Sequence, residues 1–271
     1  MHEDDFMKPG KVDLYINEIL GSKGAMLFSL IDPADYENQN MAIKTAKEAA
    51  DGGADIILLG GSVGAVGNLL DNVAKGIKDV IDVPLVLFPG NTNTITEYAD
   101  ALYFTSLLNS RNPYWHTQAQ MLAVPLIKEA KIETLPVGYI LVYPGGTAGW
   151  IGDANLIPRE KPNIAAMLAL TGEHMGQRFI LTDTGSNPHA QGCGAIPSEM
   201  IRAIKNSISI PYIVGGGINN VSEAKRVFSS GADIIQIGTA FQDGKAGSAK
   251  KKAVSFSKIA KEEGLKKLHK Q

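Results

Sequence analysis

The stretch Gly53-Ala54-Asp55-Ile56-Ile57-Leu58-Leu59-Gly60 ends in an apolar run too short for a buried helix. It is bounded by glycines, as a strand buried on both faces would be. Its first five residues recur as Gly231-Ala232-Asp233-Ile234-Ile235, again between a helix-like segment and an apolar run. A repeated βα unit of this kind is what a closed parallel barrel is made of. Six further runs share the character, at 25–31, 83–88, 101–104, 137–143, 178–182 and 211–214. Amphipathic stripes lie between them. Leu69, Leu70, Val73, Ile77, Val80 and Ile81 share one helical face, and Ala42, Ile43, Ala46, Ala49 and Ala50 share another. Eight strands alternating with helices predict an α/β fold, a (β/α)8 TIM-type barrel. A doubly wound open sheet would show a glycine fingerprint after its first strand, where this chain has Ile31-Asp32-Pro33.

One interval departs from the alternation. Only twelve residues separate Phe88 from Ala101, and they open with Pro89-Gly90-Asn91-Thr92-Asn93-Thr94. That spacing predicts a third helix that is missing or reduced to a turn. Apolar barrel wall is then uncovered, to serve as an oligomer contact or as a groove for an apolar ligand.

The chain has 271 residues, with 26 Lys and Arg against 28 Asp and Glu, a balance that argues against a nucleic-acid binder. A single cysteine, Cys193, excludes an intrachain disulfide framework and cysteine-based metal clusters. The first residues, MHEDDFMKPG, are polar and unlike a signal peptide, and no apolar run reaches bilayer length. A cytoplasmic protein is expected. His116, His174 and His189 have no metal-ligand spacing, and Trp115 and Trp150 read as packing residues.

In such barrels the chemistry sits at the C-terminal ends of the strands. Those ends carry no lysine, histidine or cysteine, only carboxylates, hydroxyls and glycine backbone. Gly215-Gly216-Gly217 and Gly238-Thr239 occupy the loops after strands seven and eight, the usual phosphate site of this fold, with Asp183-Thr184-Gly185-Ser186-Asn187 beside them. Asp32 and Ser62, after strands one and two, are hard oxygen ligands suited to Mg²⁺ that takes its other ligands from water and a diphosphate. Asp32 fits a helix or turn cap equally well, and Ser62 taken alone reads more readily as an N-cap or turn residue. These features are compatible with a phosphate-handling enzyme such as a sugar-phosphate isomerase, or with a barrel that only sequesters a phosphate or prenyl ligand.

Several stretches together resemble the geranylgeranylglyceryl phosphate synthase family of archaeal type, which also contains the bacterial heptaprenylglyceryl phosphate synthases. They are Leu30-Ile31-Asp32-Pro33, Leu59-Gly60-Gly61-Ser62, Ser106-Leu107-Leu108-Asn109-Ser110 with Asn112-Pro113, Gly146-Thr147-Ala148-Gly149-Trp150-Ile151-Gly152, Ile157-Pro158-Arg159-Glu160-Lys161-Pro162 and Gly215-Gly216-Gly217-Ile218. The resemblance implies a single prenyltransferase barrel domain over 1–271. Residues 1–12 are read as an N-terminal extension and 245–271 as a Lys-rich C-terminal helix with a solvated face. It implies Mg²⁺-dependent transfer of a geranylgeranyl group from geranylgeranyl diphosphate to sn-glycerol 1-phosphate, in a homo-oligomer (dimer or hexamer) with at most peripheral membrane contact.

Carried over residue by residue, Asp32 and Ser62 hold the metal. Leu181, Thr182, Asp183, Thr184, Gly185, Ser186 and Asn187, with Gly216, Gly217, Gly238 and Thr239, hold glycerol phosphate. Asp32 and Asp183 are the residues expected to carry catalysis. The family usually shows Tyr-Leu-Glu-Ala-Gly-Ser-Gly at strand six. This chain lacks that tyrosine and has Asp183 in place of the glutamate, one methylene shorter.

Overall fold

A computed structural model describes residues 8–60, 66–242 and 247–269. Eight parallel strands close into the expected barrel in chain order: β1 (Met26–Ile31), β2 (Ile56–Gly60), β3 (Leu85–Phe88), β4 (Ala101–Leu107), β5 (Glu133–Leu141), β6 (Phe179–Asp183), β7 (Tyr212–Gly215) and β8 (Ile234–Ile237). Side-chain alternation divides the core into two layers. Phe28, Leu58, Val86, Tyr103, Val137, Leu181 and Ile213 fill the barrel, while Leu27, Ile57, Leu87, Ile140, Ile180, Val214 and Ile235 pack outward against the helices.

The outer helices are α2 (Gln39–Asp51), α3 (Gly67–Lys78), α4 (Gln118–Ala130), α6 (Pro162–His174), α7 (Ser198–Lys205), α8 (Val221–Ser229) and α9 (Ser248–Leu268). A short α5 (Gly146–Ile151) lies over the barrel mouth. No helix forms between β3 and β4, where every residue is described, as the spacing predicts; the outward Leu87 and Leu102 are nonetheless buried, because the connecting loop packs Ile95 over the wall and leaves a groove rather than an open face.

The repeated Gly-Ala-Asp has a physical role. Each aspartate precedes a strand and accepts the first free N–H of the strand before it: Asp55 from Leu27 N at 2.9 Å and Asp233 from Tyr212 N at 3.0 Å. Asp100, after Ala99, does the same for Leu85 N at 2.8 Å. A nearby lysine neutralises each carboxylate: Lys23, Lys205 and Lys78 respectively. These contacts satisfy buried amides where the parallel ladder begins.

The sequence reading leaves two elements to be corrected. Residues 11–23 form α1 (Lys11–Lys23), so the chain enters the fold one residue before the end of the expected extension. Val12 and Ile16 close the bottom of the barrel, and Glu133 accepts from the N–H groups of Val12 and Asp13 at the start of α1. Helix α9 is less solvated than its composition predicts. Its Phe256, Ile259 and Ala260 are buried, and Lys267 bonds Asp233 at 3.2 Å.

Candidate active site

The strand ends converge on one cleft. Asp32, at the end of β1, caps a short turn by accepting from Ala34 N at 3.2 Å. Burial, together with the neighbouring Asp35 charge, pushes its carboxyl up to about 6. Asp183, the last residue of β6, is held by Gly185 N at 2.7 Å and by the Tyr139 hydroxyl from β5. Burial raises its carboxyl above the ordinary carboxylate range, against the pull of those donors.

Asp183 also joins the two ends of the cleft. On one side it meets Gly216, Gly217, Gly238, Thr239, Ser186 and Asn187. On the other it meets Phe88, Trp115, Tyr139 and Ala148, with Asp32 common to both sides.

The polar end is built from backbone. Gly216 and Gly217 both have positive φ, at 75° and 70°. A Cβ on Gly216 would strike Asp183 and Thr184, and one on Gly217 would lie 2.6 Å from the carbonyl carbon of Gly194. Only glycine permits this turn at this distance from its neighbours. His189 Nε2 bonds the Gly217 carbonyl at 3.0 Å, and Glu223 accepts from Asn219 N at 2.8 Å while Asn220 caps α8. Arg159 donates to the carbonyls of Gly194 and Ala195, pinning the loop that carries Gly185 to Asn187. A braced glycine turn leading into a helix N-terminus suits a phosphate.

The other end is apolar. Pro89, Ile95, Leu102, Phe104, Ala123 and Ile127 line a groove along the flank that lacks a helix, and Trp115 belongs to both groove and cleft. Phe88 stacks edge-on against Tyr103 and Tyr139, with centroids 5.2 and 5.6 Å apart.

Not every expected residue reaches the cleft. Leu181 fills the barrel below it, and Thr182 turns to the helix layer, where its hydroxyl bonds Tyr212 at 2.8 Å. Strand alternation makes this unavoidable, since residues 181 and 183 share one face and 182 the other. Thr184 is fully buried beside Gly216, its hydroxyl without a partner. Ser62 lies outside the described residues. Trp115 packs against the barrel interior as expected and is also a wall of the cleft, whereas Trp150 on α5 departs from its expected packing role and is 87% exposed. Tyr139 and Gln236 line the cleft without having been singled out in the sequence. Their inward register within apolar strands was the available signal.

A polar glycine-lined end suited to a phosphate and an apolar groove, joined by a cleft that holds two carboxylates on the C-terminal face of a (β/α)8 barrel, fit an enzyme class that handles a phosphorylated and a hydrophobic group together. The chain belongs to the PcrB family, whose model matches residues 19–257.

Among curated proteins it is similar to the geranylgeranylglyceryl phosphate synthase of Thermococcus sibiricus, 48% identical over 89% of this chain and 92% of that one. The Pyrococcus horikoshii protein of the same name is 46% identical over the same shares. Among solved structures it resembles the Thermoplasma acidophilum (S)-3-O-geranylgeranylglyceryl phosphate synthase in complex with sn-glycerol-1-phosphate. That match has a TM-score of 0.84 and 31% identity, and it covers 91% of this chain and 98% of that one.

Proposed function

We propose that this chain transfers a geranylgeranyl group from geranylgeranyl diphosphate to a hydroxyl of sn-glycerol 1-phosphate. The products are 3-O-geranylgeranylglyceryl phosphate and diphosphate, as in archaeal ether-lipid biosynthesis, and we place the reaction in the cytoplasm. The observation that carries this reading is that Asp183 and Asp32 line a cleft continuous at one end with the glycine turn and at the other, past Pro89, Gly90, Thr105 and Trp115, with the apolar groove. Each substrate then has an end that fits. Similarity to synthases of that name supports the choice within the class.

A divalent cation fits the donor set. The Asp32 carboxylate is half-buried beside Asp35, its charge destabilised until something positive arrives. Among the described residues no three His, Cys, Asp or Glu side chains form a cluster of their own. The ion would therefore draw its other ligands from water, Ser62 and the diphosphate, as Mg²⁺ commonly does. When bound, Mg²⁺ supplies charge neutralisation to the departing diphosphate.

The protein's own part is binding and positioning. The glycine turn grips the acceptor phosphate, and Asp183 orients the reacting hydroxyl toward the allylic carbon. The bond from that carbon to diphosphate breaks as the new C–O bond forms, and the raised carboxyl of Asp183 is suited to receive the hydroxyl proton. The rings of Phe88, Tyr139 and Trp115 face the carbon as it becomes cationic. No nucleic-acid partner enters this reading. No described helix is long and apolar enough to cross a membrane. Exposed Met121, Leu122 and Leu126 on α4, with Ile164 and Met167 on α6, support a homo-oligomer, either dimer or hexamer.

Two experiments test this reading. Product analysis with geranylgeranyl diphosphate and either enantiomer of glycerol phosphate should show ether formation from the 1-phosphate, abolished by EDTA. Diphosphate release without ether formation, or turnover unaffected by EDTA, contradicts it. The groove makes its own prediction. Ala123→Phe should lower kcat/KM for geranylgeranyl diphosphate at least about tenfold while sparing geranyl diphosphate, because one lost hydrophobic subsite is worth roughly 1–3 kcal/mol. Equal kcat/KM losses with both donors would place the tail elsewhere.

A further inference from the structure

Strand β8 alternates like the others: Ile234 points into the barrel, Ile235 and Ile237 pack outward, and Gln236 returns to the interior. Gln236 is 4% exposed and lines the phosphate end of the cleft with Asp183, Gly216 and Thr239. Its Oε1 is buried without a hydrogen-bond partner. A methionine or leucine would fill the same space without leaving a buried acceptor unpaired, so the amide calls for a role beyond packing.

The register supplies that role. Asp183 on β6 pairs with Gly215 on β7, and Gly215 pairs with Gln236 on β8, so the three stand level across adjacent strands. Strands lie about 4.8 Å apart, which sets the two polar residues roughly 10 Å apart at their Cα atoms, with no side chain between them. That opening matches a three-carbon polyol with a hydroxyl toward each side.

We propose that Gln236 binds the second hydroxyl of the acceptor, so that the phosphate cradle, Asp183 and Gln236 together read the configuration at its central carbon. The inference rests on the acceptor assigned above. Discrimination between mirror images needs three distinct attachments, and cradle plus Asp183 provide two. Asp183 reaches both the groove side and the phosphate side of the cleft, whereas Gln236 reaches only the latter. Asp183 therefore takes the reacting hydroxyl and Gln236 the hydroxyl on the central carbon.

The test uses the full chain with Gln236→Met and Gln236→Leu, each checked by thermal unfolding; either folded variant suffices. The expected result is an acceptor KM raised about tenfold and a reduced preference for sn-glycerol 1-phosphate over its 3-phosphate enantiomer. Donor KM and inhibition by inorganic phosphate should stay unchanged, and the unfolding temperature should hold or rise. Unchanged acceptor KM and enantiomer preference in a folded variant overturn the role of Gln236 while leaving the reaction intact. Wild-type protein that turns over neither enantiomer overturns the acceptor assignment itself, and Gln236's role with it.

Discussion

Asp32→Asn should abolish divalent-dependent turnover and make the metal-free protein more stable at pH 8. Burial and the Asp35 charge push its carboxyl up to about 6 in the fold, from an ordinary aspartate value of 3.8. The folded state therefore binds more protons than the unfolded chain between those pH values, and stability falls as pH rises through that window. Above it the penalty is constant. Discounted for solvent screening at a partly exposed group, it is on the order of 1–2 kcal/mol, or roughly 2–6 °C in unfolding temperature for a domain this size. The amide keeps the oxygen that accepts from Ala34 N and discards the charge. Unfolding scans in EDTA at pH 8 and pH 4 measure both ends, and the gain should vanish at the lower pH. A variant that turns over normally, or one destabilised at pH 8, would remove Asp32 from the metal role.

Asp183→Asn should raise the acceptor KM about 10- to 100-fold and depress kcat, with donor KM within about twofold. The figure follows from the roughly 1.5–3 kcal/mol carried by a hydrogen bond to a charged group. The amide oxygen can still accept from Gly185 N, which keeps the anchor of the turn after β6. What disappears is the charge that orients the acceptor hydroxyl and takes its proton. Steady-state kinetics with each substrate varied separately check this. An acceptor KM equal to wild type would move the hydroxyl away from Asp183.

The barrel was legible because its strands are continuous apolar runs. The gap between Phe88 and Ala101 was legible because twelve residues with such an opening leave little room for a crossover helix. The glycine turn at the polar end of the cleft was legible from Gly215-Gly216-Gly217, since consecutive glycines at a strand end permit the positive φ that Gly216 and Gly217 adopt.

Three things were missed. Helix α1 was passed over although Val12, Tyr15, Ile16, Ile19 and Leu20 recur at i, i+3, i+4, i+7 and i+8, because it precedes the first strand and follows a polar opening segment. Thr182 was grouped with its neighbours because a motif runs along the chain, whereas a strand sends alternate side chains to opposite faces. Tyr139 and Gln236 look like ordinary strand residues, and only the closure that sets β5 beside β6, and β8 two strands from β6, brings them to Asp183. The hydroxyl missing at Leu181 is offset from the neighbouring strand, as Tyr139 is the register partner of Leu181 and bonds Asp183.

The most direct test of the central claim is a crystal structure of the full chain with sn-glycerol 1-phosphate and a non-hydrolysable geranylgeranyl thiodiphosphate. The phosphate should lie on Gly216, Gly217 and Gly238, a glycerol hydroxyl should bond Asp183, and the prenyl chain should run past Trp115 and Ala123. A phosphate bound away from the glycine turns, or a prenyl chain outside the groove between β3 and β4, would contradict the account.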